Sequence, residues 1–148
     1  MTIAEQLTED MKSSMRAGDA ARTGVLRLLR GAIKNDEIKL AHTLDDAEVM
    51  KVLQREAKQR RDSIEAYRTA GRDDLLQQEE MELAIISAYL PAALSEAELT
   101  KLVDEVVTQL GAVDVKQMGQ VMGAVMKQVG ARADGGAVSA AVRARLGA

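Results

Sequence analysis

Apolar side chains recur every three or four positions along most of the chain, the rhythm of helices with one buried face. No segment of useful length alternates apolar and polar residues as a strand would. The first helix is expected near residues 2 to 17, with Ile3, Leu7, Met11 and Met15 four apart on one face. Asp19 can cap a second, whose broad stripe is Val25, Leu26, Leu29, Ile33 and Leu40. Thr43 followed by Asp46 reads as a weak capping box for a long third helix that stops at Ala70-Gly71. Asp73 can cap a fourth, carrying Leu76, Leu83, Ile86 and Leu90 into the single proline, Pro91, which ends it. Beyond Pro91, Ser95 and Glu98 form a capping box for a fifth helix with Leu99, Leu102, Val106 and Leu110 inward and Gly111 at its end. Asp114 can cap a sixth, running through Met118, Met122, Val125 and Met126 to Gly130, and Asp134 precedes a short last helix with Val138, Val142 and Leu146.

This pattern predicts an all-α chain, an N-terminal four-helix unit followed by a three-helix C-terminal domain. The boundary is expected between residues 91 and 95, giving domains 1–92 and 93–148. The tail is under 60 residues long and has little capacity to fold alone unless its helices pack very closely. Gly119 and Gly123, four apart, read as the place where a neighbouring helix approaches, in preference to a membrane dimer contact.

Composition sharpens the picture. With 47% apolar residues the chain can bury a core, and a formal net charge of −3 exerts no global pull towards nucleic acid or anionic lipid. The aromatic content is the outlier: no Phe, no Trp, and only Tyr67 and Tyr89. A core of Leu, Ile, Val, Met and Ala suits helices meeting along aliphatic stripes, and the lack of rings argues against stacking on unpaired bases. The absence of cysteine removes disulfides, thiolate metal sites and a cysteine nucleophile. Without a membrane-spanning run or an export signal at Met1-Thr2-Ile3-Ala4-Glu5-Gln6, the expected location is the cytosol, with no membrane partner.

The one locally basic stretch lies between residues 51 and 72. Lys51, Arg55 and Lys58 share a helix face there, a geometry suited to tracking successive phosphates, and Arg61 adds a further cation. The alternative is a solvated face on which Lys58 pairs with Asp62 and Arg61 with Glu65, and charge pattern alone favours it. Arg60 differs, because it occupies the core slot between Ala57 and Ile64 and must be paired or snorkel outwards. The expected arrangement is a structural pair with Glu79, Glu80 or Glu82 on the next helix. The acidic pairs Asp45-Asp46, Asp73-Asp74 and Glu79-Glu80 fall at helix starts or on polar faces and read as solvated charge, so no catalytic residue is assigned. His42, the only histidine, sits in the Ala41-His42-Thr43 linker without the companions a metal site needs. Neither a Walker A loop nor a dinucleotide fingerprint can be written from these residues, so no metal or cofactor is expected. Met118, Met122 and Met126 form a ridge that could dock a partner but reads more simply as core.

Several strings together resemble one family. Gln59-Arg60-Arg61-Asp62-Ser63-Ile64-Glu65-Ala66-Tyr67, Ala70-Gly71-Arg72-Asp73-Asp74-Leu75, and Glu79-Glu80-Met81-Glu82-Leu83 leading to Tyr89-Leu90-Pro91 are similar to the N-terminal half of YqeY-like proteins. Met118-Gly119-Gln120-Val121-Met122-Gly123, with Ala133-Asp134-Gly135 and Val138, Val142 and Leu146, resembles the C-terminal domain that this family shares with the B subunit of the aspartyl/glutamyl-tRNA amidotransferase. The order and spacing match over essentially the whole chain. The resemblance implies the same four-plus-three helical layout and an association with tRNA-dependent amidation, a carbon–nitrogen ligase chemistry in which glutamine is the amido-nitrogen donor. In that B subunit the tail helps hold tRNA while the chemistry resides in other domains and subunits. For this chain the implied contacts are the tail cations Lys116, Lys127, Arg132 and Arg143. Gln120 stands where the family commonly has a lysine, which removes one phosphate contact.

The expected role is therefore a non-catalytic helical accessory module associated with tRNA or a tRNA-amidation complex, with no DNA sequence readout. Two alternatives stand beside it: part of a glutamine-dependent amidotransferase activity, or a protein–protein adaptor docking through acidic N-terminal faces and the methionine ridge. The lack of a serine–lysine amidase pattern, a nucleophilic cysteine or a nucleotide site weighs against the first alternative.

Overall fold

Helix starts along the chain are set by side chains that reach back to unpaired backbone amides. In the computed structural model, which describes residues 1–147 and only the backbone at Ala131, seven α-helices and no strands are found among the described residues. They are α1 (Ile3–Ala17), α2 (Ala20–Leu40), α3 (Asp46–Thr69), α4 (Asp73–Ser87), α5 (Glu96–Leu110), α6 (Met118–Val129) and α7 (Gly135–Leu146). Thr2 with Glu5 and Ser95 with Glu98 form complete capping boxes, and Asp19 and Asp134 cap α2 and α7.

Three caps differ from the sequence expectation. The box that opens α3 is Asp45 with Glu48, not Thr43 with Asp46: Asp45 accepts from the Glu48 amide at 2.8 Å and Glu48 accepts from the Asp45 amide at 3.0 Å. The Asp46 carboxylate instead accepts from the Ile3 amide at 2.9 Å, tying the start of α1 to the start of α3. At α4 the N-cap is Arg72 without a side-chain cap bond, and Asp73 lies in the first turn, where its charge suits the helix dipole. Asp114 caps a 3₁₀ turn, Val115–Gln117, and the sixth α-helix begins only at Met118.

The chain divides into two compact units, Met1–Leu90 and Pro91–Ala148. In the first, α1 packs chiefly on α2 and α3 on α4, and α2 and α3 meet across the resulting hairpins. The buried set is aliphatic, with Leu7 from α1, Leu26 and Leu29 from α2, Val49 and Leu53 from α3 and Ile86 from α4 wholly enclosed. Each such side chain contributes roughly 1.5–3 kcal/mol by leaving water. Tyr89, just beyond α4, donates its hydroxyl hydrogen to Asp10 of α1. Burial, together with the Asp10 carboxylate, pushes the Tyr89 phenol well above its ordinary range and keeps it protonated. Two residues assigned inward by periodicity, Met15 and Leu40, are exposed, while Ser14 is buried next to Met15.

The second unit is filled mainly by valine: Val103, Val106 and Val107 on α5, Val121, Val125 and Val129 on α6, Val138 and Val142 on α7. Leu110, expected inward, is exposed, and Val103 and Val107 take the buried positions. The methionines at 118, 122 and 126 are half-buried against this core. The segment before α5 is clipped to the turn after α6, since the Leu94 amide donates to the Arg132 carbonyl at 2.8 Å. Gly119 and Gly123 do not mediate helix contact. Both face solvent, and a Cβ built on either meets nothing within 4 Å. Close approach comes from the valines, whose short branched side chains hold one preferred rotamer in a helix and lose little entropy on burial.

The open setting of Gly123, mid-helix, gives a direct test. Gly123→Ala should stabilise the protein by about 0.5–1 kcal/mol in urea denaturation, because the methyl group meets no neighbour and helix propensity improves. A loss of stability would restore the glycine as a packing residue.

Candidate nucleic-acid interface

The cations on α3 differ in how available they are. Arg55 is engaged by both oxygens of Asp36 on α2, with nitrogen–oxygen distances of 3.1 and 3.2 Å, and this fork closes the α2–α3 contact. The Arg55 hydrogen bond holds the Asp36 carboxyl below the usual carboxylate range, so the pair is ionised under ordinary conditions. Lys58 lies 3.4 Å from Asp62 one turn on, both well exposed, an arrangement of little energetic weight. Arg61 is exposed and also engaged. Lys51 is exposed.

Arg60 points the other way. Its side chain is 11% exposed, and its Nε donates to Glu82 of α4 at 3.2 Å. A second carboxylate, Glu56 one turn back on α3, binds the same guanidinium, and the Glu56 carbonyl accepts as well. Glu79 lies close by, its carboxyl pushed upward by burial and by the neighbouring charge of Glu82. The guanidinium thus compensates two partly buried carboxylates from two helices and fixes the α3–α4 hairpin.

In the C-terminal unit the cations are less committed. Lys116 in the 3₁₀ turn, Lys127 near the end of α6 and Arg143 in the last turn of α7 are exposed, and among the described residues none of the three pairs with a carboxylate. Arg132 is exposed and uses its Nε on the Ala92 carbonyl at 3.4 Å. Arg145, outside the expected set, is tied down there by an ion pair with Asp104 at 2.6 Å.

A third group was overlooked in the sequence. Arg27, Arg30 and Lys34 on α2 are exposed, stand three and four residues apart and have no carboxylate partner among the described residues. The signal was present in the spacing: no Asp or Glu lies three or four positions from Arg27 or Arg30. Counting charge in a window hid it, because Asp36 and Glu37 follow in the same helix. Those two acids turn inward, Asp36 to Arg55 and Glu37 to the Leu44 amide at 3.1 Å.

The family model described as Yqey-like protein matches residues 4–146, which takes in all seven helices but for the first residue of α1. The chain belongs to the YqeY-like family. Among its relatives, this YqeY-like chain is 37% identical over 97 residues to the protein named "Altered inheritance of mitochondria protein 41, mitochondrial" of Eremothecium gossypii, an alignment covering 65% of this chain and 52% of that one. The protein of the same name from Lachancea thermotolerans is 38% identical over 108 residues, covering 70% and 57%. That from Saccharomyces cerevisiae is 32% identical over 126 residues, covering 80% and 68%. The chain therefore spans little more than half the length of the first two.

These names overturn the cytosolic expectation, since the relatives are designated mitochondrial. A lack of cysteine and of a spanning helix speaks to redox state and to lipid, and neither property separates one aqueous reducing compartment from another. No helix among the described residues is long and apolar enough to cross a membrane.

In this YqeY-like chain the connection between α2 and α3 carries the one histidine. Ala41 adopts a left-handed conformation with φ of 58°, uncommon for a residue with a Cβ, and places His42 over the start of α3. Nδ1 lies 2.9 Å from the Thr43 carbonyl oxygen and Nε2 3.3 Å from a Glu48 carboxylate oxygen. Both ring nitrogens thus face acceptors, and only the imidazolium can donate to both. The Thr43 carbonyl first, and the Glu48 carboxylate second, raise the His42 pKa above its ordinary value. Among the described residues no cluster of three or more metal-ligating side chains forms around it or elsewhere.

Two outcomes follow from this geometry. Arg60→Ala should cost roughly 2–4 kcal/mol in urea denaturation, because it leaves Glu56 and Glu82 uncompensated. Glu82→Gln should cost clearly less, and equal losses would refute the two-carboxylate account. For His42, the stabilisation is fully present below the unfolded-state value near 6.5 and is lost as pH rises through the raised folded value. Melting temperature should therefore decline across that interval in the native protein and not in His42→Gln, and parallel profiles for the two proteins would remove the role.

Proposed function

We propose that this YqeY-like chain is a non-catalytic helical accessory module that binds tRNA, alone or within a tRNA-amidation complex, chiefly through the C-terminal unit. The observation that carries the reading is the contrast in pairing. Lys116, Lys127 and Arg143 are exposed without carboxylate partners among the described residues, whereas Arg55 on α3 is held by Asp36. A cation already forked to a carboxylate must surrender that bond to reach a phosphate. An unpaired one gains the full benefit of counterion release. Gly119 and Gly123 lie between Lys116 and Lys127 in the chain, facing open solvent with no side chain to hold a ligand's backbone away from the helix. With two tyrosines in all and no other aromatic residue, recognition would run through phosphate and sugar, which positions a nucleic acid without reading its sequence. The resemblance of the tail to the amidotransferase B subunit supplies the choice of tRNA as the polyanion.

Titration of a labelled tRNA at several salt concentrations tests this. For three phosphate contacts, the logarithm of the binding constant should fall with that of salt with a slope of about −2 to −3. The triple change Lys116→Glu, Lys127→Glu and Arg143→Glu should weaken binding at least about tenfold, equally across tRNA species. The pair Arg55→Glu and Lys58→Glu should have a smaller effect. No binding at low salt would end the proposal, and ammonia release from glutamine by the purified chain with charged tRNA and ATP would overturn its non-catalytic part.

A further inference from the structure

We propose that the outward face of α2 docks an acidic amphipathic helix of a partner protein. Leu28 and Ile38 are 57% and 69% exposed there, among the most exposed large aliphatic side chains of the chain. They stand ten residues apart, about 15 Å along the helix axis. Gly31 lies between them, and a Cβ built on it meets nothing within 4 Å. The opposite side of α2, with Leu26, Leu29 and Ile33, serves the core, so Leu28 and Ile38 stand on a face with no part in it.

The spacing matches the receiving side of a helix pair. Positions i, i+3, i+4 and i+7 outline the hole into which a facing helix inserts one side chain. Gly31, Lys34, Asn35 and Ile38 outline one such hole, and the same offsets counted back from Gly31 outline a second that includes Arg27 and Leu28. Two holes share the Gly31 corner, so a partner would present two apolar knobs one heptad apart. Each hole carries a cation on its flank.

Charge selects among occupants. Arg27 and Lys34, with Arg30 beside them donating to the Met11 sulfur of α1 at 3.4 Å, make the exposed flank of α2 positive, because its carboxylates Asp36 and Glu37 are spent inward on Arg55 and the Leu44 amide. A second copy of this chain paired α2 to α2 would set like charges against each other across the contact. A nucleic acid would satisfy the cations and leave Leu28 and Ile38 facing phosphate and sugar without gain. A helix with Leu, Ile or Met at heptad positions and Glu or Asp beside them answers both features at once.

The test uses the full chain and a synthetic probe, a peptide of about 21 residues with Leu at the a and d heptad positions and Glu at e and g, against a control with Lys at e and g. Amide shifts in an NMR titration should be confined to residues 24 to 38, with the Glu peptide binding at least about tenfold more tightly than the Lys peptide. Leu28→Ser with Ile38→Ser should weaken the Glu peptide at least about tenfold while circular dichroism stays native, since both side chains are on the surface. Arg27→Glu with Lys34→Glu should reverse the preference between the two peptides. Any of four results would overturn the proposal: no shifts with millimolar Glu peptide, equal affinity for both peptides, binding indifferent to the loss of Leu28 and Ile38, or a response of the same residues to tRNA alone. So would a dimer of the chain that the serine substitutions dissolve.

Discussion

Helix–helix contact through short aliphatic side chains is the interaction on which the rest depends. An aromatic ring buries a large area at a single position. Here no ring is fully buried in either core: Tyr89 packs against the edge of the first, and the enclosed residues are Leu, Val, Ile and Ala. Stability must accumulate from many modest contacts, each sensitive to register. The polar links between helices serve that need. Asp46 on the Ile3 amide, Asp36 on Arg55, and Glu82 on Arg60 each fix the sliding position of one helix on another. Because ordering is achieved from within, the outer faces of α2 and α6 are released from structural duty.

What could be read from the chain alone was what is decided locally. The all-helical pattern and the caps at Asp19, Ser95 and Asp134 depend on residues within one turn of each other, and the structure shows them where periodicity put them. The failures have a common cause in longer range. Thr43 and Asp46 had the right spacing for a box, but the Ile3 amide, 43 residues away, claims the Asp46 carboxylate. Leu40 and Leu110 fit their helical stripes and still face water, because each is at a helix end where no neighbour covers it. Gly119 and Gly123 looked like contact residues, yet the helices of that unit meet through valine.

The same division governs the charged surface. Whether Arg55 is free cannot be judged from α3, since the carboxylate that engages it is 19 residues upstream on α2. Arg27 and Arg30 could have been singled out, because intrahelical pairing depends only on offsets of three and four. Family membership extends over nearly the whole chain and anchors the fold reading. The two proposed surfaces would ask for different chemistry, phosphates at the tail and carboxylates flanked by aliphatics on α2, so ionic strength and apolar truncation would act on them unequally.

The hydroxyl link from Tyr89 to Asp10 joins residues 79 positions apart, the first helix of its unit to the end of the last. Both α-hairpins of that unit are built from near neighbours in the chain and can form while synthesis is under way. Closure through Tyr89 has to wait until nearly ninety residues have left the ribosome. Until then α1 is held by α2 and α3 alone, so the tie between the two ends of the unit is among the last of its contacts to form during synthesis.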